Sequence, residues 1–297
     1  MNTTLSAAPP QGGHSSRLPD LVLIGITMIW GFTFLTVQHA LQWAGPLTFV
    51  ALRFGAAALI AALYGWRQLA GLTRRELLTG ALVGCVLFGS YSLQTIGLQY
   101  IPSSKSAFLT GLYVPLVPLI QLLLFRRHPK LAAWLGIAVA FVGLTLLSDP
   151  RGMTLTLGKG EWLTIAGAAA IALEISLISR FANGVEARRV AVVQLFTVSL
   201  LAGLGSQLSG EAAPQWNPVL LISLLGLGLA TALIQIAMNW AQKTVPATRA
   251  TIIYAMEPVW AGLVGALAGE NLSAMAITGA ALIVASVLIS ELGGASD

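Results

Sequence analysis

Residues 219–241 read VLLISLLGLGLATALIQIAMNWA, 23 consecutive residues without a charged side chain. At 1.5 Å of rise per residue, a helix of this length spans about 35 Å, enough to cross a hydrocarbon core of about 30 Å. Apolar and polar residues do not alternate strictly. The stretch therefore reads as a helix that satisfies its own backbone in lipid, and not as a barrel strand. Thr231, Gln235 and Asn239 fall at four-residue intervals within it and share one face.

Nine further segments of the same kind flank it: Leu21–Leu41, Leu47–Tyr64, Leu77–Leu98, Ser106–Phe125, Leu131–Leu147, Trp162–Phe181, Val190–Leu208, Ala250–Ala268 and Ala274–Ile289. The connections are mostly short and leave no room for a soluble domain. Of the 297 residues 56% are hydrophobic and 9% charged, against about 25% charged in an ordinary soluble domain. An all-α integral membrane protein of ten transmembrane helices follows. The first twenty residues, with Pro9, Pro10, Gly12, Gly13, Ser15 and Ser16, lack an apolar core and read as a flexible tail, not a signal peptide.

The net charge of +5 would suit a nucleic-acid partner only if it formed a dense basic face. Instead the cations fall in small groups between apolar runs, and no nucleic acid is expected. With the amino terminus inside, Arg17, Arg67, Arg74, Arg75, Arg126, Arg127, Lys130, Arg180, Arg188, Arg189, Lys243 and Arg249 lie on the cytoplasmic side, 12 of the 16. Lys105, Arg151 and Lys159 lie opposite, and Arg53 is inside a span. Both termini are thus expected in the cytoplasm. Cys85 is the only cysteine, so no disulfide or Cys/His zinc site is expected, and no cofactor.

An internal repeat underlies the ten segments. At an offset of 144 residues Ile101-Pro102-Ser103-Ser104-Lys105 overlies Val245-Pro246-Ala247-Thr248-Arg249, and Gly84 overlies Gly228; with a one-residue gap Val114-Pro115 overlies Glu257-Pro258. Tyr91 and Thr95 map to Gln235 and Asn239. Five spans per repeat is an odd number, so the second copy crosses the membrane in the opposite sense. Such inverted repeats characterise alternating-access transporters, with substrate near the midplane between the halves. The expected organisation is a cytoplasmic tail (1–20), a first five-helix repeat (21–147), an external linker (148–161) and a second repeat (162–290), around a central cavity.

Several short motifs resemble the drug/metabolite transporter superfamily, in particular its ten-helix EamA-type exporters: Trp30-Gly31, Arg53-Phe54, the run from Val245-Pro246 to Arg249, Glu257-Pro258 and Gly269-Glu270. The resemblance covers about residues 20 to 291. It implies two five-helix halves around a cavity, residence in the plasma membrane (the bacterial inner membrane) and export of small metabolites, often amino acids or toxic compounds. The aromatic-rich interior looks most like the aromatic amino-acid exporter branch. Two departures stand out. Phe125-Arg126-Arg127 replaces a frequent Gly-Glu, and Tyr113-Val114-Pro115 lacks an acid beside the proline.

Ionisable groups at membrane depth are costly and so are candidates for function. Arg53, Glu174 and Glu257 are these groups. Glu257, followed by Pro258, could bind a substrate amine, carry a proton or brace a kink; Glu174 could line a wet vestibule or pair, and Arg53 could snorkel or pair within the bundle. The candidate substrate-binding set is Trp30, Gln38, Tyr91, Gln94, Tyr113, Gln235, Asn239, Tyr254, Glu257 and Trp260, drawn from polar and aromatic rows on the first, third, fourth, eighth and ninth spans. Interhelical hydrogen bonding and plain packing are the competing roles for these side chains. Pro115, Pro118 and Pro258 are candidate hinges, and Gly80/Gly84 and Gly136/Gly143 permit close helix contact or bending.

The expected function is secondary active export of small metabolites such as amino acids, with aromatic or other apolar side chains, by alternating access. The proton is the candidate coupling ion. A facilitative channel and an exporter of multiple drugs or toxic cations are the alternatives. A membrane enzyme is disfavoured, because His14, His39 and His128 are scattered outside the span centres and no nucleophile or metal constellation appears. A monomer is expected, with a dimer as the alternative, and the partners are a small-molecule substrate and the bilayer.

Overall fold

The computed structural model describes residues 17–31, 33–147, 158–260, 263 and 273–292. The tail up to residue 16, linker residues 148–157 and Gly269-Glu270 lie outside the described residues. Among the described residues all regular structure is helical: α1 (Leu18–Gly31), α2 (Thr33–Ala40), α3 (Pro46–Tyr64), α4 (Trp66–Leu69), α5 (Arg74–Gly97), α6 (Ser103–Thr110), α7 (Tyr113–Leu123), α8 (Leu131–Leu147), α9 (Lys159–Phe181), α10 (Ala187–Leu208), α11 (Pro218–Ala241), α12 (Ala247–Tyr254), α13 (described over 257–260) and α14 (Ala274–Leu292).

Helices α3, α5, α9, α10 and α11 are each long and apolar enough to cross a bilayer, as is the stretch 105–123 made of α6 and α7. On α11 the opening pattern is realised. Leu221, Leu225, Leu229 and Leu233 are exposed at four-residue intervals, while Thr231, Gln235 and Asn239 are buried. The leucine stripe meets lipid and the polar row faces inward, as burial of each surface in its preferred medium requires.

Two of the ten apolar segments are each built of two helical pieces, the fourth of α6 and α7 and the ninth of α12 and α13. Proline explains both breaks, since its ring excludes the carbonyl four residues earlier and it has no N–H to donate. That carbonyl belongs to Gly111 for Pro115 and to Tyr254 for Pro258. The turns fall at 111–112 and 255–256, 144 residues apart. The eight-residue α6 and α12 each follow a proline, Pro102 and Pro246, with backbone angles that agree within 1°. The prolines Pro115 and Pro258 then sit in the first turn of the resumed helices, where the missing donor costs nothing. Pro118 lies inside α7.

Packing repeats between the halves. Helix α3 lies on its counterpart α10, and α8 on its counterpart α14; α5 touches α9 and α10, just as α11 touches α1 and α3. Exchanging the halves leaves these contacts in place, which is an approximate two-fold arrangement. Glycine allows two of the closest approaches. A Cβ on Gly84 of α5 would stand 2.8 Å from the Gln194 carbonyl oxygen of α10, and one on Gly143 of α8 2.7 Å from the Gly279 carbonyl oxygen of α14.

Polar ties brace both ends. Thr73 and Glu76 form a capping box at the start of α5, and Glu76 also accepts from the Glu186 backbone N–H (2.9 Å) and pairs with Arg189 (3.3 Å). Elsewhere Glu211, ahead of α11, caps α3 by accepting from Leu47 N–H (3.0 Å) and Thr48 N–H (2.8 Å). Both glutamates join one repeat to the other.

Candidate functional site

A cavity opens between the two repeats, a location typical of small-molecule sites between helices. Its walls come from α1, α2, α3, α5, α6 and α7 on one side and from α9, α11, α12 and α13 on the other. Trp30, Tyr91, Gln94, Tyr113, Gln235, Tyr254 and Glu257 all line it, together with Arg53 and Glu174. The structure thus brings together residues from seven of the apolar segments.

The rings are fixed by contacts with one another. Trp30 meets Tyr254 edge to face at 5.1 Å, and Phe54 meets Tyr91 in the same manner at 4.8 Å. Gln242 Nε2 donates to the Tyr254 hydroxyl (2.9 Å), and Gln94 Nε2 donates to Thr110 Oγ1 (3.0 Å) at the cavity wall.

The three charged groups differ in setting. Arg53 is 3% exposed, with Nε donating to Thr231 Oγ1 (2.9 Å) and the guanidinium 5.2 Å from the centre of the Tyr91 ring. Glu174, equally buried, accepts from Gln235 Nε2 at 3.3 Å. Glu257 is half-buried and heads α13. Behind Glu174 runs a chain of amides. Asn239 Nδ2 donates to Gln194 Oε1 (3.0 Å), Gln194 Nε2 to Gln235 Oε1 (2.7 Å), and Gln235 onward to the carboxyl. Each donor in the chain points toward Glu174.

Three of the sequence-derived candidates lie elsewhere. Asn239 spends its amide on Gln194 and on the Gln235 carbonyl, Trp260 Nε1 donates to Thr27 Oγ1 (2.8 Å), and Gln38 is on α2 outside the lining. Sequence reading overlooked Gln194, fully buried on α10, and Thr110. A lone amide inside the apolar run from Val190 to Leu195 was the available signal for the first. Among the described residues no cluster of three or more His, Cys, Asp or Glu could hold a metal.

Known proteins of the same build share this architecture. The chain belongs to the EamA-like transporter family, whose model matches residues 17–149 and again 158–292. An uncharacterized transporter of Archaeoglobus fulgidus is 29% identical over 276 residues, covering 92% of this chain and 85% of its own. The uncharacterized inner membrane transporter YedA of Escherichia coli is 28% identical over 288 residues, covering 91% and 90%. A solved crystal structure superposes with a TM-score of 0.78 over 93% of this chain and 98% of that one, at 18% identity, and this likeness concerns the fold alone. The protein is therefore a multi-pass membrane transporter built of two EamA repeats.

Proposed function

We propose that this EamA-family transporter exports small amphiphilic metabolites, amino acids with aromatic or other apolar side chains, across the plasma membrane by alternating access. The observation that carries the reading is the cavity between the repeats, with Trp30, Tyr91, Tyr113 and Tyr254 offering ring faces and Arg53, Glu174 and Glu257 offering both signs of charge. Repeats 21–147 and 162–290 are the moving units, and Pro115, Pro118 and Pro258 mark where helices bend. The sequence has no Walker-type phosphate loop. A proton gradient acting through Glu257 is the driving force assigned here.

A second reading, export of organic cations, draws on the two carboxyls that face one arginine in the lining. Proteoliposomes separate both readings from a channel. Uptake of labelled phenylalanine should saturate and should accelerate when unlabelled phenylalanine is inside, because a carrier returns faster when loaded. Flux that rises linearly with concentration and ignores internal substrate would overturn alternating access. Uptake of tetraphenylphosphonium but not phenylalanine would select the cation reading.

A further inference from the structure

Arg53 is the one cation among the residues that line the cavity. Thr231 occupies its Nε, while the Tyr91 and Phe54 rings stand 5.2 and 5.7 Å from the guanidinium carbon. Neither neutral rings nor a hydroxyl cancels the charge. Among the described residues no carboxylate comes within 4.0 Å of it, and its two terminal nitrogens make no hydrogen bond. A buried guanidinium without a counter-ion is strongly unfavourable, so an anionic group reaching it from the cavity has a large differential affinity for this position.

The second repeat supplies the opposite charge. Trp30 of the first repeat and Glu174 of the second are 144 residues apart, so this equivalent position carries a ring in the half that holds Arg53 and a carboxyl in the other half. A ligand in the cavity meets a cation from the first repeat and the carboxyls of Glu174 and Glu257 from the second.

We propose that Arg53 is the subsite for a carboxylate on the transported molecule, held by the terminal guanidinium nitrogens while Thr231 and Tyr91 fix its orientation. The proposal rests on the transporter reading above but is tested by binding, so the two can fail separately. Purified protein in detergent is titrated with phenylalanine, phenylalaninamide and phenethylamine, and thermal stabilisation is read. The carboxylate-bearing probe should bind at least about tenfold more tightly than the other two, the loss expected for one charge-assisted contact. In Arg53→Gln the three should bind within about twofold of one another, and Arg53→Lys should keep an intermediate preference because a point charge replaces the planar fork. Equal binding of the three probes to the wild type, no binding of phenylalanine, or an undiminished carboxylate preference in both variants would overturn the assignment. Carboxylate preference in detergent without any flux in vesicles would retain the subsite and remove the exporter reading.

A separate observation concerns the ends of the cavity. Lys105 on α6 pairs with Glu161 on α9, and Arg249 Nη2 on α12 lies 2.9 Å from Asp20 Oδ2 on α1. Each of the four is the third residue of its helix. Both pairs join one repeat to the other, and Lys105 and Arg249 are repeat mates, so inversion puts the pairs at opposite ends. Thr110 and Tyr254, the last residues of α6 and α12, line the cavity. Each cation therefore stands about 7.5 Å of helix rise outward of the site.

The geometry points to these pairs as two latches, both closed in this structure, that open alternately to admit and release substrate. A reporter at the wall, Thr110→Cys in a Cys85→Ser background, is labelled with a membrane-impermeant maleimide from either side. Glu161→Gln should raise labelling from the Lys105 end roughly fivefold and lower it from the Arg249 end, and Asp20→Asn should do the reverse. Parallel changes from both sides in either variant, or no change, would overturn the assignment.

Discussion

Glu257 and Arg126 are two residues at which local chemistry is set against its surroundings. Glu257 opens to the cavity, and among the described lining residues it is the only carboxyl that heads a helix. A carrier of the proposed coupled proton would have to change charge in each cycle. Glu257→Gln keeps size and hydrogen bonding but not titration. In proteoliposomes the variant should retain counter-flow of phenylalanine and lose all stimulation by an imposed pH gradient, and stimulation equal to that of wild type would refute a proton role for this residue. Arg126 has φ 53°, the one positive value among described non-glycine residues, where the Cβ is crowded by about 1–2 kcal/mol. It turns the chain so that the Arg127 N–H donates back to the Gln121 carbonyl (2.9 Å). It also stands in the Phe125-Arg126-Arg127 run that replaces the Gly-Glu of the exporter resemblance. Arg126→Gly should raise the melting temperature of the purified protein by a few degrees, and a fall would show that the arginine side chain contributes more than its backbone costs.

At the scale of the element, helix contacts that need bare backbone can be separated from those that do not. Gly143 lets α8 rest on α14, and any side chain there meets the Gly279 carbonyl and Ile283 within 3.0 Å. Backbone cannot rotate aside as a side-chain tip can. Gly143→Leu should cost about 1–3 kcal/mol through overpacking, seen as a lower melting temperature. Gly226→Leu is the control, because nothing lies within 4 Å of its added Cβ. Equal loss in both would trace the effect to helix propensity and not to contact. The elements were also where sequence reading was most uneven. Ten apolar runs were legible because lipid imposes length and composition on every span at once. The divisions of the fourth and ninth runs were legible only as Pro115 and Pro258, since an average over twenty apolar residues passes across a one-turn break. Gln194 escaped because its meaning depends on Gln235 and Asn239 from another helix, a tertiary fact that no spacing along α10 encodes. Trp260 and Asn239 read as site residues for the complementary reason. At membrane depth a polar group must find some partner, and theirs are the helices Thr27 and Gln194 belong to.

For the whole molecule the open physical variable is sidedness, because a two-repeat protein of inverted sense looks much the same from either face. Only the distribution of cations breaks that degeneracy: 12 of the 16 basic residues fall in one set of loops and 3 in the other. By the positive-inside bias the larger set is expected in the cytoplasm, and the proposed export would then load at the Arg249–Asp20 end and release at the Lys105–Glu161 end. Single cysteines decide it. Cys85 is the sole native cysteine, so a Cys85→Ser background carrying either Lys159→Cys or Lys243→Cys presents one thiol at a known end. An impermeant maleimide should label Lys159→Cys in intact cells and Lys243→Cys only in everted vesicles. The opposite pattern would invert the molecule and with it the direction of transport, while leaving the cavity, the Arg53 subsite and both latches in place. Labelling of both positions from both sides would mean a mixed population, the outcome expected of a chain whose cation bias is too weak to orient it. Moving charge should then shift the mixture: adding arginines to the loop that holds Lys159 should raise the inverted fraction if loop charge alone sets the insertion.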